Sequence, residues 1–256
     1  MGVVAVSGIA FAAMFGAAIV GTLLRSILPE RYLSDESKEV IRLGSALIAT
    51  MSALLLGLLV ASTRGAYEEK RSQVIRMTAD LIELDLCMKD YGAEARPVRQ
   101  AMRDAVPAIV DGIWRGQADR FRSDANAEPD TGTEAVLSEL QELSPRDDGQ
   151  RARRARAIEV GLDLAQIQLV LFSQPDNAIS PPFITVMVLW LAFIFGTFTL
   201  FAPPNPLIVA VLLVSALSAA SALFLILDLD SPFAGLLQIP AAPLRNALPP
   251  LAILLP

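Results

Sequence analysis

The sequence contains no histidine and only one cysteine, Cys87, among its 256 residues. Without histidine the chain has no imidazole for acid–base catalysis, for a proton relay or for binding zinc or haem iron. A lone cysteine excludes an internal disulfide and a cysteine-rich metal site, which fits a reducing compartment. The net charge of −6 offers no basic surface, so no nucleic-acid partner is expected.

Charge is also scarce outside one region of the chain. Residues 64–180 carry 37 of the 48 charged side chains, and the other 139 residues carry 11. A region this apolar has too few polar groups to cover itself in water. The composition therefore predicts membrane spans together with one hydrophilic region.

Four uncharged runs are long enough to cross a bilayer, for which a helix needs about 20 apolar residues. They predict transmembrane helices at residues 3–24, 43–63, 182–202 and 206–228. The prolines at 203, 204 and 206 separate the last two spans, because proline lacks a backbone donor and interrupts a helix. The first run lacks the basic start of a secretion signal and is too long for one, so we expect it to be retained.

These spans divide the chain into a hairpin at 1–63, a hydrophilic region at 64–180, a second hairpin at 181–230 and an apolar, proline-rich tail at 231–256. Four spans put both termini and the hydrophilic region on one side of the membrane. We expect that side to be the cytoplasm of a bacterial cell, with the spans in the inner membrane, because the region lacks disulfides and an export signal. The tail is expected to lie at the membrane interface or against the protein.

The start of the hydrophilic region predicts an amphipathic helix that continues the second span. We expect one helix from an N-cap at Ser34 to a stop at Gly92, since only Gly65 interrupts the pattern. Its apolar stripe is either the core face of this region or a coiled-coil seam between subunits. The stripe consists of Tyr67, Val74, Leu81 and Met88, with Met77, Leu84 and Tyr91 between them.

Further helices are expected at about 97–113, 136–143 and 151–173. The last begins with a run of four arginines, Arg151, Arg153, Arg154 and Arg156, which fits either a solvated face or contact with anionic lipid. No strand-like alternation is present. The predicted fold is an all-α membrane protein with four transmembrane helices and a helical cytoplasmic domain inserted between spans 2 and 3.

Several runs resemble a known family. Residues 28–38 (LPERYLSDESK), 56–60 (LGLLV), 198–203 (FTLFAP) and 224–230 (FLILDLD) are similar to the bacterial bestrophin-like membrane proteins, a four-span family. Residues 66–71 and 228–235 resemble segments that follow the pore helix and the last span of true bestrophins, which are pentameric anion channels. The resemblance implies a homo-oligomer, with five copies in the bestrophin pattern, that passes small anions such as chloride.

The second span carries the pattern most informative for function. A small residue occupies every fourth position from Ser45 to Gly65. Such a ladder lets helices pack closely, and it also leaves room for ions along a pore. Both interpretations stay open, although bulky apolar residues form the corresponding neck of true bestrophins. The candidate pore-lining residues are Ser45, Ala49, Thr50, Ser52, Ala53, Gly57 and Ala61.

Charged residues at the ends of the spans are further candidates. Arg42 and Arg64 bracket the second span; in an oligomer they would form basic rings at the pore mouths, although single arginines also anchor spans. Asp228 and Asp230 end the last span, where the helix dipole disfavours carboxylates. Water, ion pairing or a bound cation would offset this, and Ca²⁺ takes about six to eight oxygen ligands.

These features predict a homo-oligomeric membrane channel that passes small anions passively, with span 2 lining the axis and membrane lipid around it. Apart from Asp228 at the very end of the last span, no span contains an ionisable group, which disfavours a pump or a proton-coupled transporter. The alternative is a non-transporting scaffold or regulatory protein whose cytoplasmic helices bind a partner. We expect no enzymatic activity, no catalytic residue and no cofactor, because no residue spacing suggests an active site.

Overall fold

The structure is a computed structural model that describes residues 2–29, 35–114, 132–173, 179–202 and 205–248. Apart from one short 3₁₀ turn, Ala93–Ala95, every regular element in these ranges is an α-helix, so the predicted all-α class is confirmed. Ser34, the predicted N-cap, lies outside the described residues. The helices are α1 (Val3–Ile27), α2 (Asp35–Tyr91), α3 (Arg96–Trp114), α4 (Thr133–Glu142), α5 (Asp148–Ser173), α6 (Pro181–Phe201), α7 (Pro206–Leu229) and α8 (Ala242–Arg245).

Four of these helices, α1, α2, α6 and α7, are long and apolar enough to cross a membrane. The ends of α1, α6 and α7 lie within three residues of those predicted, and α2 contains the predicted span 43–63. α2 is a single helix of 57 residues, as the sequence predicted, and it ends at Gly92, whose φ of 118° suits glycine. The long second helix therefore supplies both a span and the first helix of the hydrophilic region.

The chain folds into two compact units. The membrane unit comprises residues 1–66 and 177–230, and the hydrophilic unit comprises residues 67–176 and 231–256. The boundary falls within α2, which contributes its first half to one unit and its second half to the other.

Small residues let α1 and α6 approach closely within the membrane unit. A Cβ atom on Gly21 would overlap the Gly196 carbonyl oxygen and the Thr199 hydroxyl, and a Cβ atom on Gly196 would lie 3.3 Å from the Ala17 carbonyl oxygen. This close backbone approach is the packing that small residues permit in membranes. α7 also packs on α1, and the buried core contains Ala10, Met14, Ala18, Met187, Ala216 and Ala220.

The apolar stripe of α2 is the core face of the hydrophilic unit. Its residues from Val74 to Tyr91 are at most 3% exposed, and they pack with buried side chains of α3, α4 and α5. The core-face interpretation is confirmed for these residues, and this stripe is not a seam between subunits. Burial of such large apolar side chains stabilises a fold by roughly 1.5–3 kcal/mol each.

The described part of the tail packs into the hydrophilic unit. Phe233, Ile239 and Leu244 are buried in the same core as the stripe. The Trp114 indole Nε1 donates a hydrogen bond of 2.8 Å to the Ile239 carbonyl, and its ring meets that of Phe233 edge-on at 5.2 Å. The sequence predicted that the tail lies at the membrane interface or against the protein, and the structure shows the second arrangement for the described residues.

Candidate pore face and membrane groove

One face of α2 is turned into the membrane unit. Ser45, Ser52, Leu59 and Thr63 are between 0% and 9% exposed. Their spacing of seven and four residues keeps them on one side of a helix with about 3.6 residues per turn. The Ser45 hydroxyl donates a hydrogen bond of 3.2 Å to the Thr197 hydroxyl of α6. Residues on the other side of α2 therefore point away from the interior of the membrane unit.

The opposite face of α2 is open. Thr50, Ala53, Gly57 and Ala61 are exposed, and a Cβ atom placed on Gly57 meets no atom within 4 Å. We call these four residues the outward ladder. No charged side chain occurs between Arg42 and Arg64, so the outward ladder is a small, uncharged surface.

The structure therefore splits the seven candidate pore-lining residues. Four form the outward ladder, whereas Ser45 and Ser52 are buried inside the unit. Ala49 is half-buried and lies at the edge, where it lines a groove beside α6. Only the outward ladder is available to an axis in front of α2.

The groove lies between α2 and α6 and has a volume of about 350 Å³. Arg42 lines it, and the Arg25 guanidinium on α1 donates a hydrogen bond to the carbonyl of Ala202, another lining residue. Most of the remaining wall is apolar. The lining residues are Ile41, Arg42, Ser45, Ala46 and Ala49 of α2, with Thr197, Phe198, Phe201 and Ala202 at the end of α6.

The two arginines that bracket the span face different surroundings. Both are exposed. Arg64 follows Gly57 by seven residues, about two helical turns, and so lies on the side of the outward ladder. Arg42 instead lines the groove beside α6. Arg64 thus lies at one end of the outward ladder and lines no part of the groove, whereas Arg42 lines it.

A second apolar stripe on α2 escaped the sequence reasoning. Ile75, Ile82 and Leu86 are 58%, 42% and 54% exposed in the hydrophilic unit, and the exposed Ala79 lies between them. Steps of four, three and four residues give a coiled-coil spacing. The signal was present in the sequence, but the longer core stripe masked it. We call these four residues the outward stripe.

Asp228 and Asp230 are 3% and 6% exposed at the end of α7. Both make contacts within the structure. The described residues contain no group of three or more His, Cys, Asp or Glu side chains able to hold a metal. Two carboxylates supply at most four oxygens, fewer than the roughly six that Ca²⁺ requires, so they do not form a calcium site by themselves.

Charged groups of the hydrophilic unit serve mainly to hold its helices together. Asp85 is buried and accepts hydrogen bonds from Arg99 Nε at 2.8 Å and Arg99 Nη2 at 3.1 Å. In the arginine run at the start of α5, Arg154 donates to the Leu140 and Gln141 carbonyls that end α4. These contacts give at least part of that run a structural role.

Two titratable groups near α5 have shifted pKa values. Burial raises the pKa of the Asp80 carboxyl, with Arg76 opposing and Asp163 adding to the shift, and Asp80 Oδ2 is buried without a hydrogen-bond partner. Burial also raises the pKa of the Cys87 thiol. A raised thiol pKa lowers the thiolate fraction, so Cys87 is not activated as a nucleophile.

One of three comparisons with known proteins finds a match. A family model described as a Bestrophin-like domain matches residues 4–244. No curated protein and no solved structure matches the chain.

Proposed function

The chain belongs to the bestrophin-like family, and from that premise we propose that it forms a homo-oligomeric membrane channel that passes small anions such as chloride. In this proposal α2 lines the axis. The observation that carries it is the outward ladder, an uncharged surface of small residues that is open on the single chain.

α7 offers a comparison, because its exposed surface mixes small serines with large apolar side chains. The exposed side chains of α7 include Leu207, Val211, Val214 and Leu217, each at least 57% exposed. Large apolar residues of this kind suit contact with lipid tails. The outward ladder instead carries three residues with no side chain larger than a methyl group, together with the Thr50 hydroxyl. A water-filled axis or a neighbouring helix accounts for this choice better than lipid does.

The charge pattern supports passive passage of anions. Arg64 is exposed at one end of the outward ladder, and a ring of such arginines would raise the local anion concentration. Apart from Asp228 at the end of the last span, the predicted spans hold no ionisable group of the kind that pumps and proton-coupled transporters use at membrane depth. In this proposal Arg64 is the mouth charge of the pore.

The assembly and its placement follow from the family and the charge distribution. The family relation supports an oligomer, with five copies as the starting expectation. We propose that the hydrophilic unit lies in the cytoplasm and the spans in a bacterial inner membrane, because a chain with one cysteine forms no internal disulfide and so suits a reducing compartment.

A non-transporting scaffold is the second candidate, and the outward stripe favours it. Exposed Ile75, Ile82 and Leu86 give α2 a surface suited to another helix. In a scaffold the outward ladder would seal helix to helix, and the hydrophilic unit would bind a partner. The two candidates share the assembly and differ in whether the axis contains water.

Anion flux from proteoliposomes, measured beside oligomer mass, tests the channel. Gly57→Leu places a bulky side chain in open space on the single chain, so the fold should persist. A channel predicts that the oligomer forms and that flux falls at least tenfold relative to Gly57→Ala. Loss of assembly in Gly57→Leu, or absence of flux from the unmodified oligomer, would favour the scaffold.

A further inference from the structure

The groove between α2 and α6 combines one charged end with an apolar length. Arg42 and Ala49, both lining residues, are seven residues apart, which spans about 10 Å along a helix. Ile41, Phe198 and Phe201 add apolar wall. A ligand that fits such walls has a charged group at one end and hydrocarbon along the rest.

The ends of α1 and α6 meet near the charged end of the groove. Arg25 lies in the last turn of α1, and its guanidinium donates to the Ala202 carbonyl that follows α6. Arg42 lies one residue before the predicted start of the second span. These positions place the charged end at the membrane boundary where the second span begins, at the depth of lipid headgroups.

The charge of Arg42 is available to a ligand. Among the described residues, Arg42 forms no hydrogen bond or ion pair, and Glu39, one turn earlier, does not pair with it. At the end of α6 the basic side chain that donates to the backbone is Arg25, which contacts the Ala202 carbonyl. A guanidinium above an apolar groove is complementary to a phosphate group that carries an acyl chain.

We infer that this groove binds an anionic phospholipid, with its phosphate on Arg42 and an acyl chain along the apolar wall. A guanidinium holds a phosphate through charge-assisted hydrogen bonds, which are stronger than neutral ones. The inference goes beyond conduction, because lipid binding requires neither a pore nor the outward ladder. It separates Arg42 from Arg64, which lines no part of the groove.

Thermal stability of the purified full-length protein in detergent provides the test. Phosphatidylglycerol, phosphatidylcholine with the same acyl chains, and inorganic phosphate are titrated separately. Phosphatidylglycerol should raise the melting temperature at a lower concentration than phosphatidylcholine, and phosphate alone should not raise it. Arg42→Gln should weaken the phosphatidylglycerol response about fivefold, the factor expected for one basic residue near an anionic surface.

Two further variants serve as controls for the arginine charge and for the groove. Arg64→Gln removes an equally exposed arginine and should leave the phosphatidylglycerol response unchanged. Ala46→Phe fills the groove and should abolish the response while Arg42 stays in place. Equal responses to the two lipids, equal losses in the two arginine variants, or a full response to phosphate alone would each overturn the proposal. None of these measurements depends on anion flux, so the lipid proposal can be tested even if the protein proves not to be a channel.

Discussion

The membrane unit and the hydrophilic unit use the same helix, α2, in different ways. In the membrane unit its inward face carries hydroxyls and Leu59, and neighbouring helices α1 and α6 meet through glycine and alanine. In the hydrophilic unit its core face carries Val, Met, Leu and Tyr, and a buried ion pair joins it to α3. Close backbone approach organises one unit, and burial of large side chains organises the other.

The outward surfaces of the two halves of α2 also differ from each other. Beside large exposed side chains such as Leu54 and Leu58, the membrane half presents the small residues of the outward ladder, and the hydrophilic half presents the apolar outward stripe where water would favour polar residues. The outward ladder therefore fills little of the space beside lipid tails, and the outward stripe leaves apolar side chains in water. Contact between copies of the chain would cover both the outward ladder and the outward stripe, and this comparison supports an assembly around α2.

The largest expected effect is on the buried ion pair of the hydrophilic unit. Asp85→Ala leaves Arg99 without its carboxylate partner, and removing one member of a buried pair costs about 3–5 kcal/mol. Chemical denaturation should show the loss. Glu83→Ala is the matched control, because its pair with Arg156 is solvent-exposed and contributes about 0–1 kcal/mol. Equal losses in the two variants would contradict the structure.

The next largest effect is a difference in stability between alanine substitutions at two glycines of the membrane unit. Gly21→Ala forces a methyl group against the Gly196 carbonyl, so it should destabilise the protein by about 1–3 kcal/mol, as overpacking does. Gly57→Ala meets no atom within 4 Å and should leave the stability of the single chain unchanged. Melting temperature in detergent measures both. A loss for Gly57→Ala that equals the loss for Gly21→Ala would show that the outward ladder is packed within the chain.

A smaller effect concerns the outward stripe. Ile82→Glu should lower the oligomer mass at fixed protein concentration and change the stability of the single chain by no more than about 0.5 kcal/mol, because the side chain is exposed. Light scattering after size-exclusion chromatography measures the mass. Leu162→Glu, at an exposed position of α5, is the control and should assemble normally. Normal assembly of Ile82→Glu would remove the stripe from the interface.

The smallest effect is a pH dependence at Asp80. Burial raises its pKa above the ordinary 3.8, so the folded protein holds this proton more tightly than the unfolded chain does. The charged carboxylate therefore costs stability above the folded pKa, and that cost disappears as the pH falls through it. Asp80→Asn should melt at a higher temperature than the unmodified protein at pH 7 and lose this advantage near pH 4. An advantage independent of pH would exclude titration of Asp80 as its cause.

The sequence predicted the spans and the core stripe because both are repeated local patterns. Uncharged runs and a seven-residue apolar repeat each involve many residues, and no tertiary contact is needed to read them. The same reasoning missed the contact of Gly21 with Gly196 and the burial of Phe233, since each joins segments far apart in the chain.

The small-residue ladder shows why the candidate site was predicted only in part. A repeat of four residues advances about 40° per step on a helix of 3.6 residues per turn. Six members from Ser45 to Gly65 therefore wrap around more than half of α2. Ser45 is consequently buried while Gly57 is exposed. Composition identified the helix, and only tertiary packing separated its inward face from its outward one.

Cysteine accessibility on the outward ladder tests the central claim most directly. In a Cys87→Ser background, Ala53→Cys and Val214→Cys each introduce the only thiol, one on the outward ladder and one on the exposed surface of α7. A water-soluble, membrane-impermeant thiol reagent is then applied to the protein in lipid. The account predicts that Cys at 53 reacts and that Cys at 214 does not. Protection of both thiols, or reaction at 214 alone, would contradict a water-filled axis lined by α2.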